Sequence, residues 1–551
     1  MKSLQERLIR TCAVAKSTYY GQIMRPSRTR TAMTSFDARV DRSLELLTEA
    51  RFTPSPHRRQ RAIDQQRLPK SMGGGGNTSA LRTCGARWVA SVAKEVPKVQ
   101  ALIPALAHID VATSKLPFCI EFRAEYGRLR AVCQDVHSFY ASLDATSGQY
   151  VDFDGTVHLK FHPKSLVLME KLPENVSDFM KLRNSPAAPQ DDPSTPLPPA
   201  QRKLCSIVHH DGWRNLFTGC QLHDHVFRAH SEFADREASR LISTGADHSG
   251  AFLDVLPTSF THKSSKFLTC LQRRYGLHLS YPHHLLDAIA AAGGTVTISM
   301  RLGDTFAHNA NHSTAHKWLV VAWSDAEAAA DSSATVYRGD KSKGHEPYSF
   351  VSASYVPDVI KLTGGDSGAP SASDDDRPSI LEIKHYSPIV RDSRSGAGPT
   401  TLNGGSYAFG NTEEQLKWKV LGTRQRGVPQ QGAFNHTTGS GFVPAHDGDY
   451  VDAIKNRKAT VKLLAHETFG GMSPFASRHL RRLGRAAEES GCDPTDYSRS
   501  YTARSFVPYY AQRLSSASVI NGAAGIHRSA DKLRTDYLNG AIPNVPAPQG
   551  A

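Results

Sequence analysis

The spacing of apolar residues changes near residue 295, and this change constrains the fold more than any other feature of the sequence. Before it, apolar residues recur at helical intervals, as do Phe36, Val40, Leu44 and Leu47. After it, short apolar or alternating runs predict strands at 295–303, 334–339, 348–362 and 379–390, with helices at 311–331 and 411–427. A mainly helical chain with such a mixed segment is predicted to have an α+β fold with several domains.

Breaks in composition divide the chain into six segments. A basic helical segment at 1–75 ends in the glycines Gly73 to Gly76, which suit either a hinge or a phosphate cradle, although no Lys-Ser/Thr pair follows in phosphate-loop register. Residues 76–183 are mainly helical, and a Pro/Ser-rich linker at 184–202 leads to a second helical region at 203–294. The α/β segment covers 295–435, and the basic region at 436–551 is predicted to be helical over 455–535 with a flexible tail.

The net charge favours a polyanionic partner. The 551 residues include 66 Lys and Arg against 52 Asp and Glu, which gives +14. Such an excess suits nucleic acid, with a merely solubilising basic surface as the alternative. The eight cysteines are scattered without a CxxC motif, and the N-terminus shows no signal-peptide pattern. We therefore expect a nuclear or cytoplasmic protein that is not secreted.

Two predicted strands carry charged residues where apolar ones are expected. Glu382 and Lys384 lie two apart and therefore share a face of their strand. If the strand that begins near Asp358 pairs beside it, Asp358 and Glu382 approach each other, and a divalent cation such as Mg²⁺ or Mn²⁺ would relieve their repulsion. Lys384 would then assist the attacking water. The alternative is an exposed hairpin with a weak surface ion pair.

These residues match a known signature. Pro357-Asp358 followed by Glu382-Ile383-Lys384 resembles the PD-(D/E)xK motif of restriction-endonuclease-like nucleases. The resemblance implies a restriction-like α/β core at 295–435, with Asp358 and Glu382 as metal ligands and Lys384 as a catalytic residue. An upstream acid and a residue of the following helix often complete such sites. Glu346 and Gln415 occupy those positions here, and Glu414 lies beside Gln415.

A longer stretch resembles the C-terminal part of non-LTR (LINE-type) retrotransposon reverse transcriptases. The resemblance runs collinearly through residues 8–20, 36–47, 67–93, 250–259, 267–277 and 307–319, and then through the nuclease motif. The first of these segments resemble a thumb-like helical section, and His308-Asn309 resembles the start of the endonuclease domain. Three features depart from the pattern: no YxDD motif, no Cys/His zinc knuckle before His308, and Val356 where the family tends to have Arg.

The resemblance implies a DNA endonuclease that nicks one strand to prime reverse transcription, with DNA, and secondarily RNA, as the partner. We expect no polymerase activity because the polymerase palm motif is missing. Two alternatives remain open. The same fold could bind nucleic acid with an inactive site, as a fragment of a degenerate element, or the chain could be a decaying copy without a selected function.

Three further groups are candidates for binding. The first group could bind zinc, or it could consist of buried thiols and surface imidazoles. The spacing of its members favours the second interpretation. The members are Cys205, His209, Cys220, His223 and His225. Histidines at 308, 312 and 316 would share one helix face, which suits either a metal, a phosphate or plain solvent. A basic stripe of nucleic-acid-binding residues is predicted in the C-terminal region, at Arg478, Arg481, Arg482 and Arg485.

Overall fold

The computed structural model combines helices and sheets, with helices predominating. It describes residues 5, 8–146, 149–151, 157–159, 171–184, 200–222, 231–254, 264–303, 306, 312–339, 357–362, 378–386, 417–432, 441–455, 459–491, 503 and 505–542. The mixture confirms the predicted α+β class at its coarsest level. No helix within these ranges is long and apolar enough to cross a membrane.

The N-terminal part is built from helices around one large apolar core. Aromatic side chains such as Trp88, Phe122 and Phe217 fill this core and are almost completely buried. Its elements are α1 (Val14–Ile23), α2 (Pro26–Thr48), α3 (Pro56–Gln66), α4 (Ala80–Leu102), α5 (Pro117–Thr146), a hairpin of β1 (Gln149–Val151) and β2 (Val157–Leu159), α6 (Val176–Asn184), α7 (Ala200–Leu222) and α8 (Ser231–Thr244).

The second part contains a four-stranded sheet with helices around it. Helices α9 (Ser264–Arg274), α10 (His283–Ala291), α11 (Ile298–Arg301) and α12 (His312–Ala330) come first. Strands β3 (Thr335–Arg338), β4 (Val359–Leu362) and β5 (Ser379–Tyr386) follow, and then the short β6 (Gly422–Thr423) and β7 (His446–Asp447) and the helix α13 (Val451–Lys455). The chain continues through β8 (Thr460–Glu467), α14 (Pro474–Glu489) and α15 (Phe506–Leu538).

The sheet has the order β3-β4-β5-β8 and is covered on both faces. Strands β3, β4 and β5 pair antiparallel, whereas β8 pairs parallel to β5. On one face, Leu381 and Ile383 pack with apolar side chains of α12, α14 and α15. On the other face, Ile380 and Leu463 pack with Tyr450 and its neighbours. Alternate residues of β5 therefore enter two different cores.

The C-terminal helix α15 joins the sheet to the helical part. Leu514 belongs to the core under the sheet, whereas Val519 and Ile520 belong to a second core with Phe252 of the helical region. Ile526 reaches a third small core around α10. One helix of 33 residues thus contributes to three apolar clusters.

Three predictions of local structure are wrong. The helix predicted at 411–427 is helical at 417–421 but contains β6 (Gly422–Thr423), and Arg426 forms a β-bridge with Val443. The predicted strand at 295–303 contains helix α11, because the Thr297 hydroxyl caps its first turn by accepting from the Met300 amide at 3.2 Å. Gly303, at φ +79°, follows the helix. The predicted helical stretch 455–535 contains β8, whose residues are buried on both faces of the sheet. The sheet therefore takes its fourth strand from beyond residue 435.

The glycine-rich turn at 73–76 is packed tightly. A Cβ atom on Gly74 would lie 1.9 Å from the carbonyl oxygen of Leu68. The first amides of α4, which follows the turn, are occupied as well: the Asp37 carboxylate accepts hydrogen bonds from Ala80 at 2.9 Å and Leu81 at 3.0 Å. A carboxylate of the protein thus fills the position that an anion would take at this helix N-terminus.

Candidate active site

The pairing of β4 with β5 places Asp358 beside the strand that carries Glu382. Val359 pairs with Leu381 and Ile360 with Ile380, and the amide of Ile383, next to Glu382, donates to Oδ2 of Asp358 at 2.8 Å. Asp358 immediately precedes β4, and Glu382 and Lys384 lie in the middle of β5. The sequence predicted that these residues become neighbours if the two strands pair, and β4 does pair with β5.

The Asp358 carboxylate is buried and held by two nitrogen donors. Its exposed fraction is 6%. The Ile383 amide of β5 donates to Oδ2 at 2.8 Å, and Nε2 of His316 lies 3.1 Å from Oδ1. His316 belongs to α12, so the helix and the strand together fix the orientation of this carboxylate.

The Glu382 carboxylate is more deeply buried and has two different partners. Its exposed fraction is 1%. Nζ of Lys384 donates to Oε1, which shows that these two side chains point the same way, and the Tyr450 hydroxyl donates to Oε2 at 2.5 Å. Lys384 itself is about one-quarter exposed, so its ammonium group reaches solvent.

The partners of the two acids come from opposite faces of the sheet. His316 belongs to α12, which packs on the face formed by Leu381 and Ile383. Tyr450 packs on the other face, with Ile380. The structure therefore brings the two backbone positions together while each carboxylate interacts with a separate group of side chains.

The carboxylate oxygens of Asp358 and Glu382 are suitable ligands for a hard divalent cation, but protein groups already contact them. Two carboxylates are enough protein ligands for Mg²⁺, which commonly takes its remaining ligands from water and substrate phosphates. Within the described ranges, no group of three or more His, Cys, Asp or Glu residues is arranged to hold a metal ion. Each of the four carboxylate oxygens also accepts from, or lies beside, a protein donor. A cation would have to displace Lys384 or His316.

Several predicted site residues lie outside the described residues. These are Glu346, Gln415 and its neighbour Glu414, together with His308, His223 and His225. The side chains of Cys220 and His312 are also outside the description. Of the predicted zinc ligands, burial raises the pKa of the Cys205 thiol, an effect that Arg87 partly offsets, and burial lowers the pKa of His209 to about 4, assisted by Arg87 and His210.

The predicted basic stripe lies on α14. Arg481, Arg482 and Arg485 are exposed and Arg478 is half-buried, while Leu480 and Leu483 face the core. Arg481 forms an ion pair with Asp247 at 3.2 Å. Because α14 packs on the face of the sheet opposite Tyr450, the stripe and the Glu382 side chain lie on different sides of the sheet.

Two buried acids near the sheet have strongly shifted pKa values. Burial alone would raise the pKa of Glu327, but the His479 ring at 2.5 Å and the ammonium groups of Lys462 and Lys361 outweigh burial and lower it to about 2. Burial raises the pKa of Glu467 to about 7, and a hydrogen bond from Ser243 only partly offsets that effect.

Reasoning from the sequence missed Tyr450, and it placed His316 on a helix face suited to a metal, a phosphate or solvent rather than beside Asp358. Tyr450 lies 68 residues from Glu382 in the chain, and no local pattern links the two. The sequence provided a weak indication for His316, because His308, His312 and His316 are four residues apart and would share one face of a helix.

Comparison with known proteins finds no match to this chain among family models, curated proteins or solved structures.

Proposed function

We propose that this chain is a divalent-metal-dependent DNA endonuclease of the restriction-like type, derived from a retroelement. The observation that carries the proposal is the pairing of β4 with β5, which brings the Asp358 carboxylate to the amide of Ile383, next to Glu382, with Lys384 on the same face as Glu382. The resemblance of these residues to the PD-(D/E)xK signature supports the reaction class. The net charge of +14 supports a nucleic-acid substrate.

The residues divide the chemistry between them. When bound, Mg²⁺ or Mn²⁺ supplies polarisation of a phosphate oxygen and a water molecule of lowered pKa. Asp358 and Glu382 would hold the cation through carboxylate oxygens. The Lys384 ammonium, released from Glu382, would orient the attacking water and stabilise the negative charge that develops on the phosphate. The partial exposure of Lys384 gives a DNA strand access to it.

A plasmid nicking assay tests this proposal. Purified protein is incubated with supercoiled plasmid and either Mg²⁺ or Mn²⁺, with EDTA as the blank. We expect conversion to open circles by the wild type and its loss in Asp358→Ala and Lys384→Ala. Lys455→Ala serves as the control, because Lys455 is a largely exposed lysine whose ammonium group lies 3.4 Å from Asp447. A wild type that does not nick, or an Asp358→Ala variant that nicks equally well, would remove the enzyme proposal.

One observation favours a second function, a nucleic-acid-binding fold with an inactive site. All four oxygens of Asp358 and Glu382 already have protein donors beside them, as in a site that has no need of a cation. In that case the protein would shift DNA on a gel at low salt, without metal and without nicking. Binding should weaken steeply as salt increases. Absence of binding at low salt would end this alternative.

A further inference from the structure

The side chain that fixes Glu382 comes from a part of the chain outside the nuclease motif. The Tyr450 hydroxyl donates to Oε2 of Glu382 at 2.5 Å, and the exposed fractions of both residues are 1%.

The Tyr450 ring is held firmly enough to act as a fixed support. Its backbone amide donates to the Val420 carbonyl at 3.2 Å, and its own carbonyl accepts from Ile454 at 3.0 Å. The ring packs among Ile380 of β5 and Leu463 of β8. The hydroxyl position therefore depends on β5, which carries Glu382, and on its neighbour β8.

We propose that Tyr450 is a positioning residue of the candidate nuclease site, which holds one oxygen of Glu382 so that the other, Oε1, is presented on the side of Lys384. This inference rests on the proposed function. The contact of Lys384 with Oε1 marks that side, because a cation that binds this oxygen takes the place of the ammonium group.

Groups that orient a metal ligand through a hydrogen bond commonly change metal affinity or activity by tenfold or more when they are removed. Tyr450→Phe keeps the ring in the core and deletes only the hydroxyl. We expect this variant to need on the order of tenfold more Mn²⁺ for half-maximal binding and half-maximal nicking. Its maximal nicking rate at saturating Mn²⁺ should change much less than in Lys384→Ala.

Mn²⁺ binding is measured directly, by electron paramagnetic resonance of the free ion, beside the nicking assay. The control is Tyr126→Phe, which deletes another buried hydroxyl, one that donates to the Pro173 carbonyl at 2.7 Å in the N-terminal core. Thermal unfolding of each variant confirms that it is folded. The double variant Tyr450→Phe/Glu382→Gln must bind Mn²⁺ no more weakly than Glu382→Gln alone if Tyr450 acts through Glu382.

The outcomes separate the two proposals. If the wild type binds Mn²⁺ and nicks DNA while Tyr450→Phe does so with unchanged Mn²⁺ dependence, the positioning role is overturned and the nuclease proposal stands. If Tyr126→Phe weakens Mn²⁺ binding as much as Tyr450→Phe, the effect is structural and the positioning role is again overturned. If the wild type neither binds Mn²⁺ nor nicks, both proposals fail. If the double variant binds Mn²⁺ more weakly than Glu382→Gln alone, Tyr450 acts on a group other than Glu382, and the positioning role is overturned.

Discussion

The carboxyl group of Glu467, at the end of β8, is hydrogen bonded to the hydroxyl of Ser243 in α8. Neither side chain is accessible to solvent to any useful extent. The contact spans 224 residues of chain and joins the sheet to the helical part. Oε1 of Glu467 has no hydrogen-bond partner among the described residues. An ionised Glu467 would therefore be poorly compensated in this position.

The first prediction concerns the pH dependence of stability. Burial raises the pKa of Glu467 from 4.5 to about 7, so the folded protein holds this proton more tightly than the unfolded chain does. The stabilisation that comes from the tightly held proton of Glu467 is fully present below pH 4.5. It decreases as the pH rises from 4.5 to 7 and is absent above pH 7. Glu467→Gln cannot ionise, so we expect it to exceed the wild type at pH 8 by on the order of 3 kcal/mol and to match it near pH 4.5.

Urea unfolding at several pH values between 4.5 and 8 measures this difference. Other titrating groups, such as the neighbouring His466, are common to both proteins and cancel in the comparison. Glu488→Gln is the control, since Glu488 is an exposed residue of α14. If wild type and Glu467→Gln give parallel profiles over this range, the raised pKa of Glu467 is refuted.

The second prediction concerns Glu327, whose pKa is shifted in the opposite direction from that of Glu467. The charges of His479, Lys462 and Lys361 lower the pKa of this carboxyl from 4.5 to about 2, against the effect of burial. The contribution of the ionised Glu327 to the free energy of unfolding is therefore present above pH 4.5 and is lost as the pH falls towards 2. Glu327→Gln should cost about 3 kcal/mol at pH 7, because it removes the buried acid that pairs with the Lys361 ammonium group and with the His479 ring.

Asp331 provides a matched control for Glu327. It contacts the same ammonium group, that of Lys361, at 3.2 Å, but its side chain is 28% exposed. We expect Asp331→Asn to cost less than about 1 kcal/mol. Urea unfolding at pH 7 and pH 3.5 measures both variants. Equal costs for the two variants, or a Glu327→Gln deficit that does not shrink at pH 3.5, would contradict the assignment.

The third prediction compares two glycines. Gly74 has no room for a Cβ atom, which would lie 1.9 Å from the Leu68 carbonyl oxygen and 2.7 Å from that of Gln65. Gly74→Ala must therefore move backbone, and we expect a loss of about 3 kcal/mol or more. Gly127 in α5 has no atom within 4 Å of such a Cβ, and Gly127→Ala should stabilise the helix by about 0.5–1 kcal/mol. Thermal unfolding of the two variants should shift in opposite directions.

The sequence predicts those elements whose signal is local. The helix expected at 311–331 is observed at His312–Ala330, and the strand expected from residue 379 begins there, because each pattern is complete within the element. The sequence also placed Asp358 beside the strand of Glu382 on the condition that the two strand-like runs pair, and β4 and β5 do pair antiparallel.

Strand β8 and the contact of Tyr450 could not be predicted from local patterns, because both depend on distant parts of the chain. Strand β8 reads as a short apolar run, and periodicity alone cannot distinguish a strand buried on both faces from a buried helix. Its partner β5 ends more than 70 residues earlier. Tyr450 acquires its contact with Glu382 only once β5, β8 and the segment that carries Tyr450 have packed together.

The last prediction concerns the arginines of α14. Arg485 is exposed and forms no ion pair within the described ranges, whereas Arg481 is already paired with Asp247. A free arginine gains a phosphate without giving up another partner, so Arg485→Ala should weaken DNA binding more than Arg481→Ala. If Arg485 contacts one phosphate, its loss should reduce the slope of log K against log salt by about 0.9.

Fluorescence anisotropy with a labelled duplex, at several salt concentrations, measures these slopes. The loss should be the same for duplexes of different sequence, because phosphate contacts carry no base information. Glu488→Gln on the same helix adds no cation and should leave the slope unchanged. A wild-type slope retained by Arg485→Ala would show that this face of α14 is only solvated, and the DNA surface would then have to lie elsewhere on the molecule.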